Sequence, residues 1–361
     1  MKLVVLGLSL SSSWGNGHAT TYRALLRAFA ARGHDVLFLE RDVPWYADHR
    51  DLPAPDWCRL AFYEDVAGLD AHAEEVARAD AVIVGSYVPE GVAVGRWAQG
   101  HARGVTAFYD IDTPVTLGKL ERGDFEYLQP DLIPGFDLYL SFTGGPTLRE
   151  IESRYGAPAA RALYCSVDPN AYRAEPAAKR WDLSYLGTYS DDRQPKLERL
   201  LLDVARARPD MRFCVAGPQY PADIAWPDNV ERIEHLPPAE HPAFYNASRW
   251  TLNVTRDDMV RAGWSPSVRL FEAAACATPI ISDRWDGLGE LFAPDREIVI
   301  ADEGDAVLRA LARDDAAAIG RAGQARVLSE HTAAHRAAEL ETYFRQAAEI
   351  APEQRKVASY G

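Results

Sequence analysis

Short runs of apolar, often β-branched residues alternate along the chain with turns rich in Gly or Ser and with amphipathic helical stretches. This rhythm occurs once in each half of the chain and predicts two parallel sheets joined by crossover helices. The strand-like runs of the first half are 2–8, 35–39, 81–85, 105–109, 138–141 and 162–164. Those of the second half are 183–186, 212–216, 230–233, 251–254, 279–282 and 297–300. We therefore expect an α/β fold with two Rossmann-like domains that face each other across a cleft.

The helix predicted over 19–32 has the clearest pattern, and Gly33 marks its end. Its apolar residues recur at the spacing of one helix face: Tyr22, Leu25, Leu26 and Phe29. Further helices are predicted over 194–208, 239–247, 266–276 and 333–349. The last of these places four apolar residues on one face, so it must pack on another element: Leu340, Tyr343, Phe344 and Ala347.

A length of 361 residues exceeds what one hydrophobic core usually holds, which favours two domains. Prolines and polar residues over 169–180 are typical of a linker. The expected domains are 1–168 and 181–331. The remaining segment, 332–361, is expected to cross back to the first domain.

Composition excludes several classes of protein. A net charge of -14 argues against nucleic acid and anionic lipid as partners, and no apolar run is long enough for integral membrane association. The apolar start of the chain is interpreted as a first strand rather than a signal peptide. The four cysteines are widely spaced, which indicates neither a zinc site nor a disulfide framework and fits a cytoplasmic protein.

The segment 265–282 carries the strongest chemical pattern. Ser265 and Pro266 are favoured residues for an N-cap and a first helical position, and a helix N-terminus binds phosphate. Arg269 and Glu272 are three residues apart, so they share a face on which one contacts a diphosphate and the other a ribose. The alternative is an ordinary ion pair between them on the helix surface.

The residues Phe271-Glu272-Ala273-Ala274-Ala275-Cys276-Ala277-Thr278-Pro279 resemble the donor-domain signature of GT-B glycosyltransferases, and the longer stretch is similar to their CgeB-like group. The resemblance implies that Glu272 binds the ribose of a nucleotide-diphosphate sugar. Many retaining members carry another glutamate eight residues earlier, where this chain has Trp264. Stereochemistry therefore stays open.

Upstream, 185–196 resembles the first strand and loop of the same donor domain, where a glycine and basic residues approach the diphosphate. A solvated helix start is the alternative. The implied donor-binding residues are Gly187, Thr188, Arg193, Lys196, Ser267, Arg269 and Glu272. His235 lies where the family holds the base, and a structural role is at least as well supported for it.

In the first half, 8–18 follows the first strand and precedes a helix, which is the usual place of a ligand loop in an α/β sheet. Asn16 and Gly17 are the expected acceptor-binding residues. His18 is a candidate general base, and helix capping or packing is its alternative role.

Two carboxylates, Asp110 and Asp112, follow the strand 105–109. An Asp-x-Asp pattern occurs at the metal site of the GT-A fold, but a donor signature in a separate domain argues against that fold. We expect Asp110 to face or cap the sheet and Asp112 to lie nearer the cleft as a second catalytic candidate. No metal site is predicted.

The sequence thus predicts a metal-independent glycosyltransferase without a cofactor, which uses a nucleotide-sugar donor and a saccharide, lipid-linked or small-molecule acceptor. A nucleotide-sugar epimerase or hydrolase of the same fold and a noncatalytic binding protein remain alternatives. Asn246 and Asn253 begin glycosylation acceptor patterns, to which we assign no role.

Overall fold

Two units make up the chain in a computed structural model that describes residues 1–14 and 17–358, with side chains through residue 350. The first unit contains residues 1–165 and the last helix, and the second is Ser166–Thr332. The expected linker 169–180 lies in the second unit, where Tyr172 is buried. There Lys179 donates hydrogen bonds to the carbonyls of Asn246 and Ser248.

The first unit is built on a seven-stranded parallel sheet of order β3-β2-β1-β4-β5-β6-β7. Its strands are β1 (Lys2–Gly7), β2 (Asp35–Arg41), β3 (Arg59–Tyr63), β4 (Ala81–Gly85), β5 (Val105–Asp110), β6 (Leu138–Ser141) and β7 (Ala160–Ala162). Its α-helices up to residue 165 are α1 (His18–Ala31), α2 (Pro44–Ala47), α3 (Ala73–Ala77), α4 (Gly91–His101), α5 (Thr113–Glu121) and α6 (Pro146–Tyr155). Single 3-10 segments lie at Ala67–His72 and Pro130–Gly135.

Side chains of β1 alternate between two cores, one on each face of this sheet. Val4 and Leu6 pack into one core, and Leu3 and Val5 pack into the other. Burial on both faces explains the nearly continuous apolar runs that predicted the central strands.

The second unit contains a six-stranded parallel sheet of order β10-β9-β8-β11-β12-β13. Its strands are β8 (Trp181–Leu186), β9 (Phe213–Ala216), β10 (Val230–Ile233), β11 (Ser248–Asn253), β12 (Ile280–Ser282) and β13 (Val299–Ile300). Its helices are α7 (Gln194–Leu197), α8 (Asp203–Ala207), α9 (His241–Asn246), α10 (Asp257–Ala262), α11 (Val268–Ala275), α12 (Leu288–Leu291), α13 (Gly304–Leu311) and α14 (Ala316–Glu330). A π-helical turn, Glu198–Leu202, joins α7 to α8, and a 3-10 turn, Pro238–Glu240, precedes α9.

The last helix, α15 (Ala333–Ala358), packs on α1 and β5 of the first unit. Leu340 and Phe344 are fully buried there, with the Phe344 ring 6.4 Å from that of Phe29. Just after α1, Arg32 forms an ion pair with Glu341 of α15, and Nε2 of His34 lies 3.2 Å from the same carboxylate. The apolar face predicted for this helix is therefore part of the core of the first unit.

The prediction failed at β3 and at the start of α11. No strand was predicted at β3, which lies at the edge of the sheet and keeps most of its side chains partly exposed. Helix α11 begins at Val268, with Ser267 as its N-cap, instead of at Pro266 after Ser265.

Candidate functional site

The second sheet reverses its strand order between β8 and β11, which are neighbours although β9 and β10 separate them in sequence. In open α/β sheets, ligands bind outside the carboxyl ends of the strands at such a switch point. Residues from 187 onward follow β8, and residues from 254 onward follow β11. The expected donor-binding residues of the second unit lie near these ends.

Arg269, in the first turn of α11, reaches the ends of both strands. It is 9% exposed, its Nε donates to the carbonyl of Leu186, and its Nη1 lies 3.0 Å from Oδ1 of Asn253. The guanidinium also covers the ring of Tyr185 at 5.0 Å. Arg269 is thus directed to the end of β8 and not to Glu272, so the surface ion pair is not the observed arrangement.

Gly187 leaves room for this guanidinium. A Cβ atom at residue 187 would lie 2.8 Å from Nη2 of Arg269 and 2.6 Å from Oη of Tyr185. Any larger residue would displace the arginine. The next residue, Thr188, accepts a hydrogen bond of 2.6 Å through its carbonyl from Nη2 of Arg193.

Three arginines approach one another at this end of the sheet. Burial lowers the pKa of the Arg193 guanidinium, and the positive charges of Arg269 and Arg256 lower it further. The Nε atom of Arg193 is buried without a hydrogen-bond partner among the described residues. The side chain of Arg256 forms neither a hydrogen bond nor an ion pair with any described residue. Guanidinium groups that repel one another in this way form an electropositive site suited to an anion.

Lys196 lies beside this cluster but is already engaged. Its Nζ is 3.0 Å from the Thr255 carbonyl and from Asp257, and 3.4 Å from the buried carboxylate of Asp283. Burial raises the pKa of Asp283 despite that contact. The ammonium of Lys196 is therefore held by three protein oxygens, and its donor-binding role stays a prediction.

The start of α11 is fixed by a contact with β11. The Ser267 hydroxyl donates to Oδ1 of Asn253 at 2.8 Å and makes no cap hydrogen bond to the helix. This bond holds Ser267 at the N-cap, which explains why α11 begins later than the Ser265-Pro266 signal predicts. The first N–H groups of the helix therefore do not donate to the Ser267 hydroxyl, as at a helix start that binds phosphate.

Glu272 lies one turn further along α11 and is 5% exposed. Its Oε2 accepts a hydrogen bond of 3.4 Å from the Tyr245 hydroxyl and lies 3.8 Å from Nδ1 of His241. Both partners belong to α9. His235, for which a structural role was at least as well supported as base binding, is exposed, whereas His241 approaches the carboxylate.

In the first unit, the expected ligand loop after β1 is anchored by a buried carboxylate. Glu40, at 0% exposure, accepts hydrogen bonds from the N–H groups of Leu10 and Ser11 at 2.6 and 2.9 Å. It also accepts bonds from the hydroxyls of Ser9 and Ser11. Four donors around one carboxylate fix the course of the loop. Asn16 lies outside the described residues, and Gly17 is the exposed N-cap residue of α1.

His18 is the first residue of α1. Burial lowers its pKa to about 4, so the imidazole is neutral at pH 7. Its Nδ1 is buried without a partner among the described residues. The ring lies perpendicular to that of Tyr87, with 5.3 Å between the centroids.

The two aspartates that follow β5 have different surroundings. Asp110 is completely buried and accepts hydrogen bonds from the hydroxyls of Tyr139 at 2.5 Å and Thr116 at 2.7 Å. Burial raises its pKa to about 6. Asp112 is the partly exposed N-cap residue of α5 and accepts a hydrogen bond of 3.3 Å from the Tyr87 hydroxyl.

Sequence reasoning missed four residues near these groups: His241, Tyr245, Asn253 and Arg256. The sequence did contain a signal for Asn253, because this residue ends a strand at the expected ligand edge. Asn253 was instead interpreted only as part of a glycosylation pattern. Asn246 is also buried, and its side chain binds the backbone at Arg173, Glu175 and Pro242. Neither asparagine is therefore accessible in the folded chain.

Two doubly wound units, one with three arginines near its switch point, are typical of α/β proteins that bind nucleotides. A family model described as glycosyl transferase-like matches residues 193–342, which include Arg269 and Glu272. The matched segment covers most of the second unit and the first part of α15. No curated protein matches the chain by sequence.

Solved structures resemble nearly the whole chain. Sucrose-phosphate synthase from Thermosynechococcus elongatus has a TM-score of 0.70 at 14% identity, over 96% of this chain and 99% of that chain. HepE of Anabaena, in complex with UDP and glucose, has a TM-score of 0.68 at 13% identity, over 96% and 100%. The β-glucosyltransferase of T4 phage, in complex with its UDP-glucose substrate, has a TM-score of 0.60 at 11% identity, over 96% and 99%.

These likenesses show the GT-B fold, as the sequence predicted. Together with the family match they support a glycosyltransferase enzyme. Within residues 1–14 and 17–358, no group of three His, Cys, Asp or Glu side chains is arranged to hold a metal ion. No helix in the described chain is long and apolar enough to cross a bilayer.

Proposed function

We propose that the chain transfers a sugar from a nucleoside-diphosphate sugar to an acceptor hydroxyl, as a member of the CgeB-like group. The observation that carries this proposal is the position of Arg193 and Arg269, which bind the backbone at the end of β8, near Arg256 after β11. Such a cluster costs free energy unless an anion compensates it. A diphosphate supplies two adjacent negative groups.

In this proposal the diphosphate binds between the arginines and the N-terminus of α11. Arg269 is held in place by the Leu186 carbonyl and Asn253, so its remaining donor, Nη2, is available beside Gly187. Fixed donors of this kind stabilise the charge that develops on a leaving diphosphate. The arginines take the role that a divalent cation has in metal-dependent transferases, and the transfer is therefore proposed to need no metal.

Glu272 is proposed to accept hydrogen bonds from the ribose hydroxyls of the donor. Its carboxylate lies beside the side chains of Tyr245 and His241, one turn after the N-terminus of α11. Uridine is the proposed base, because HepE and the T4 enzyme were solved with UDP or UDP-glucose.

The acceptor is proposed to bind the first unit, close to His18 and Asp112. A neutral imidazole or a carboxylate accepts the proton of an attacking hydroxyl. Asp110 has no such role in the proposal, because it is buried and its oxygens are occupied by protein donors.

The test uses the full chain and two assays. Calorimetric titration with UDP, ADP and GDP should give measurable affinity for UDP above the other two. Incubation of UDP-sugars with saccharide, lipid-linked and small-molecule acceptors should release UDP only when a suitable acceptor is present, with and without EDTA.

The outcomes separate the alternatives. UDP release without any acceptor would indicate a hydrolase, interconversion of the donor sugar an epimerase, and binding without turnover a noncatalytic protein. Loss of activity in EDTA with recovery in manganese would contradict metal independence. Arg208→Met is the control for charge, since Arg208 is partly exposed in the same unit and pairs with Asp210.

A further inference from the structure

Tyr87 contacts both residues that the proposed function places at the acceptor. Its hydroxyl donates to Oδ2 of Asp112 at 3.3 Å, and its ring packs perpendicular to the imidazole of His18 at a centroid distance of 5.3 Å. One side chain thus contacts two groups that are 94 positions apart in the sequence.

The backbone of Tyr87 is held in an unfavourable conformation. Its φ angle is 62°, in the left-handed region that aromatic residues rarely occupy. Such conformations persist where the surroundings fix them, and they concentrate at functional sites. Here the preceding residue, Ser86, is bound to β5 through its N–H, which donates to the Tyr109 carbonyl, and through its hydroxyl, which accepts from the N–H of Ile111.

The ring is supported from its other side. The ring of Tyr127 lies 4.5 Å from it, and Nζ of Lys119 lies 5.9 Å from its centroid. The Tyr127 hydroxyl is in turn bound to Thr116, which donates to the buried carboxylate of Asp110. The Tyr87 ring therefore rests on a network that begins in the core of the first unit.

We propose that Tyr87 is a positioning residue, which orients the Asp112 carboxylate through its hydroxyl and the His18 imidazole through its ring. This inference rests on the proposed function of those two residues. Tyr87 itself takes no proton from the acceptor. Its effect is on turnover, because it sets the direction of groups that do.

Two variants separate the two contacts. Tyr87→Phe keeps the ring and removes the hydroxyl, so kcat should fall about 10-fold, as expected for losing one hydrogen bond to a charged group. The affinity for UDP and the thermal unfolding midpoint should not change. Tyr87→Leu also removes the ring, so kcat should fall further and the NMR signals of the His18 imidazole should shift.

Tyr63→Phe is the matched control, since Tyr63 is buried in the same unit and its hydroxyl has no partner among the described residues. It should leave kcat unchanged. A Tyr87→Phe enzyme with the kcat of the wild type would overturn the positioning role, and so would a fall in kcat that Tyr63→Phe matches.

An activity-independent measurement distinguishes this inference from the proposed function. In protein labelled with 13C at aspartate carboxyl groups, Tyr87→Phe should shift the Asp112 signal and Tyr63→Phe should not. If the wild type transfers no sugar, the proposed function fails, while this shift still decides whether Tyr87 holds Asp112. An unchanged Asp112 signal would overturn the inference.

Discussion

The two units share one order for their first six strands but differ in the charge of the loop that follows the first strand. After β1, the serine-rich loop surrounds the buried carboxylate of Glu40, whose four hydrogen bonds are all internal. After β8, the loop carries Arg193, which faces two further arginines. The shared topology places a ligand edge in both units, and the three arginines at that edge of the second unit are the reason why the diphosphate is proposed to bind there.

Arg269→Met should have the largest effect, because it would remove the central charge of the second unit's site. Two charge-assisted hydrogen bonds to a diphosphate are worth about 3 kcal/mol or more together, so UDP should bind at least ~100-fold more weakly. Titration calorimetry measures this, with Arg208→Met as the control. Unchanged affinity in a folded variant would mean that Arg269 only joins β8 to β11.

Glu272→Gln should separate the two units further. Glu272 is proposed to bind the ribose of the donor, whereas Glu40 binds only groups of the protein. Glutamine keeps the size and loses the charge, which should weaken UDP binding by roughly 10-fold to 150-fold. Glu303→Gln, at an exposed glutamate of the same unit, should bind UDP normally. If Glu272→Gln did so too, the carboxylate would serve only Tyr245 and His241.

Glu40→Gln should lower the stability of the protein and leave UDP binding unchanged, which is the opposite of the effect expected for Glu272→Gln. The glutamine NH₂ group faces hydrogen-bond donors, so the free energy of unfolding should fall by about 2 kcal/mol while UDP affinity stays unchanged. Urea denaturation followed by circular dichroism measures the first quantity. Equal stability of this variant and Glu150→Gln, at a partly exposed glutamate, would contradict the anchoring role of Glu40.

Asp110 should produce the smallest effect, visible as a pH dependence of stability. Its pKa is about 6 in the folded chain and near 4 when unfolded, so the folded chain binds more protons between these values. Stability conferred by the protonated carboxyl is present at low pH and is lost as pH rises through 6. Between pH 5 and 6 the wild type should lose about 1 kcal/mol more than Asp110→Asn. Parallel pH profiles of urea denaturation would contradict this.

Strands buried on both faces could be predicted from sequence almost to the residue, as β4 and β6 demonstrate. The hydrophobic pattern did not predict β3, whose side chains are only partly buried. It also failed where a tertiary contact overrides a local sequence signal. The start of α11 is such a case, because the bond from Ser267 to Asn253 determines the N-cap.

Residues of the candidate site could be predicted only where they lie together in one segment of the sequence. Arg269 and Glu272 lie in a single motif, whereas Arg256 joins Arg193 and Arg269 from another loop through the fold alone. Tyr87 gave no signal in the sequence, since its contacts join α1 to the start of α5. The metal independence and the cytoplasmic location stay predictions.

The return of α15 to the first unit determines the order in which a newly made chain can fold. Arg32 is bound to Glu341, 309 residues later, and Phe29 finds the ring of Phe344 in the same place. While the ribosome is still translating the second unit, one apolar face of α1 has no partner and stays exposed to water. All six strands of the second sheet precede α15 in the chain, so the second unit can fold first. The unit whose residues leave the ribosome first is therefore the last to complete its core.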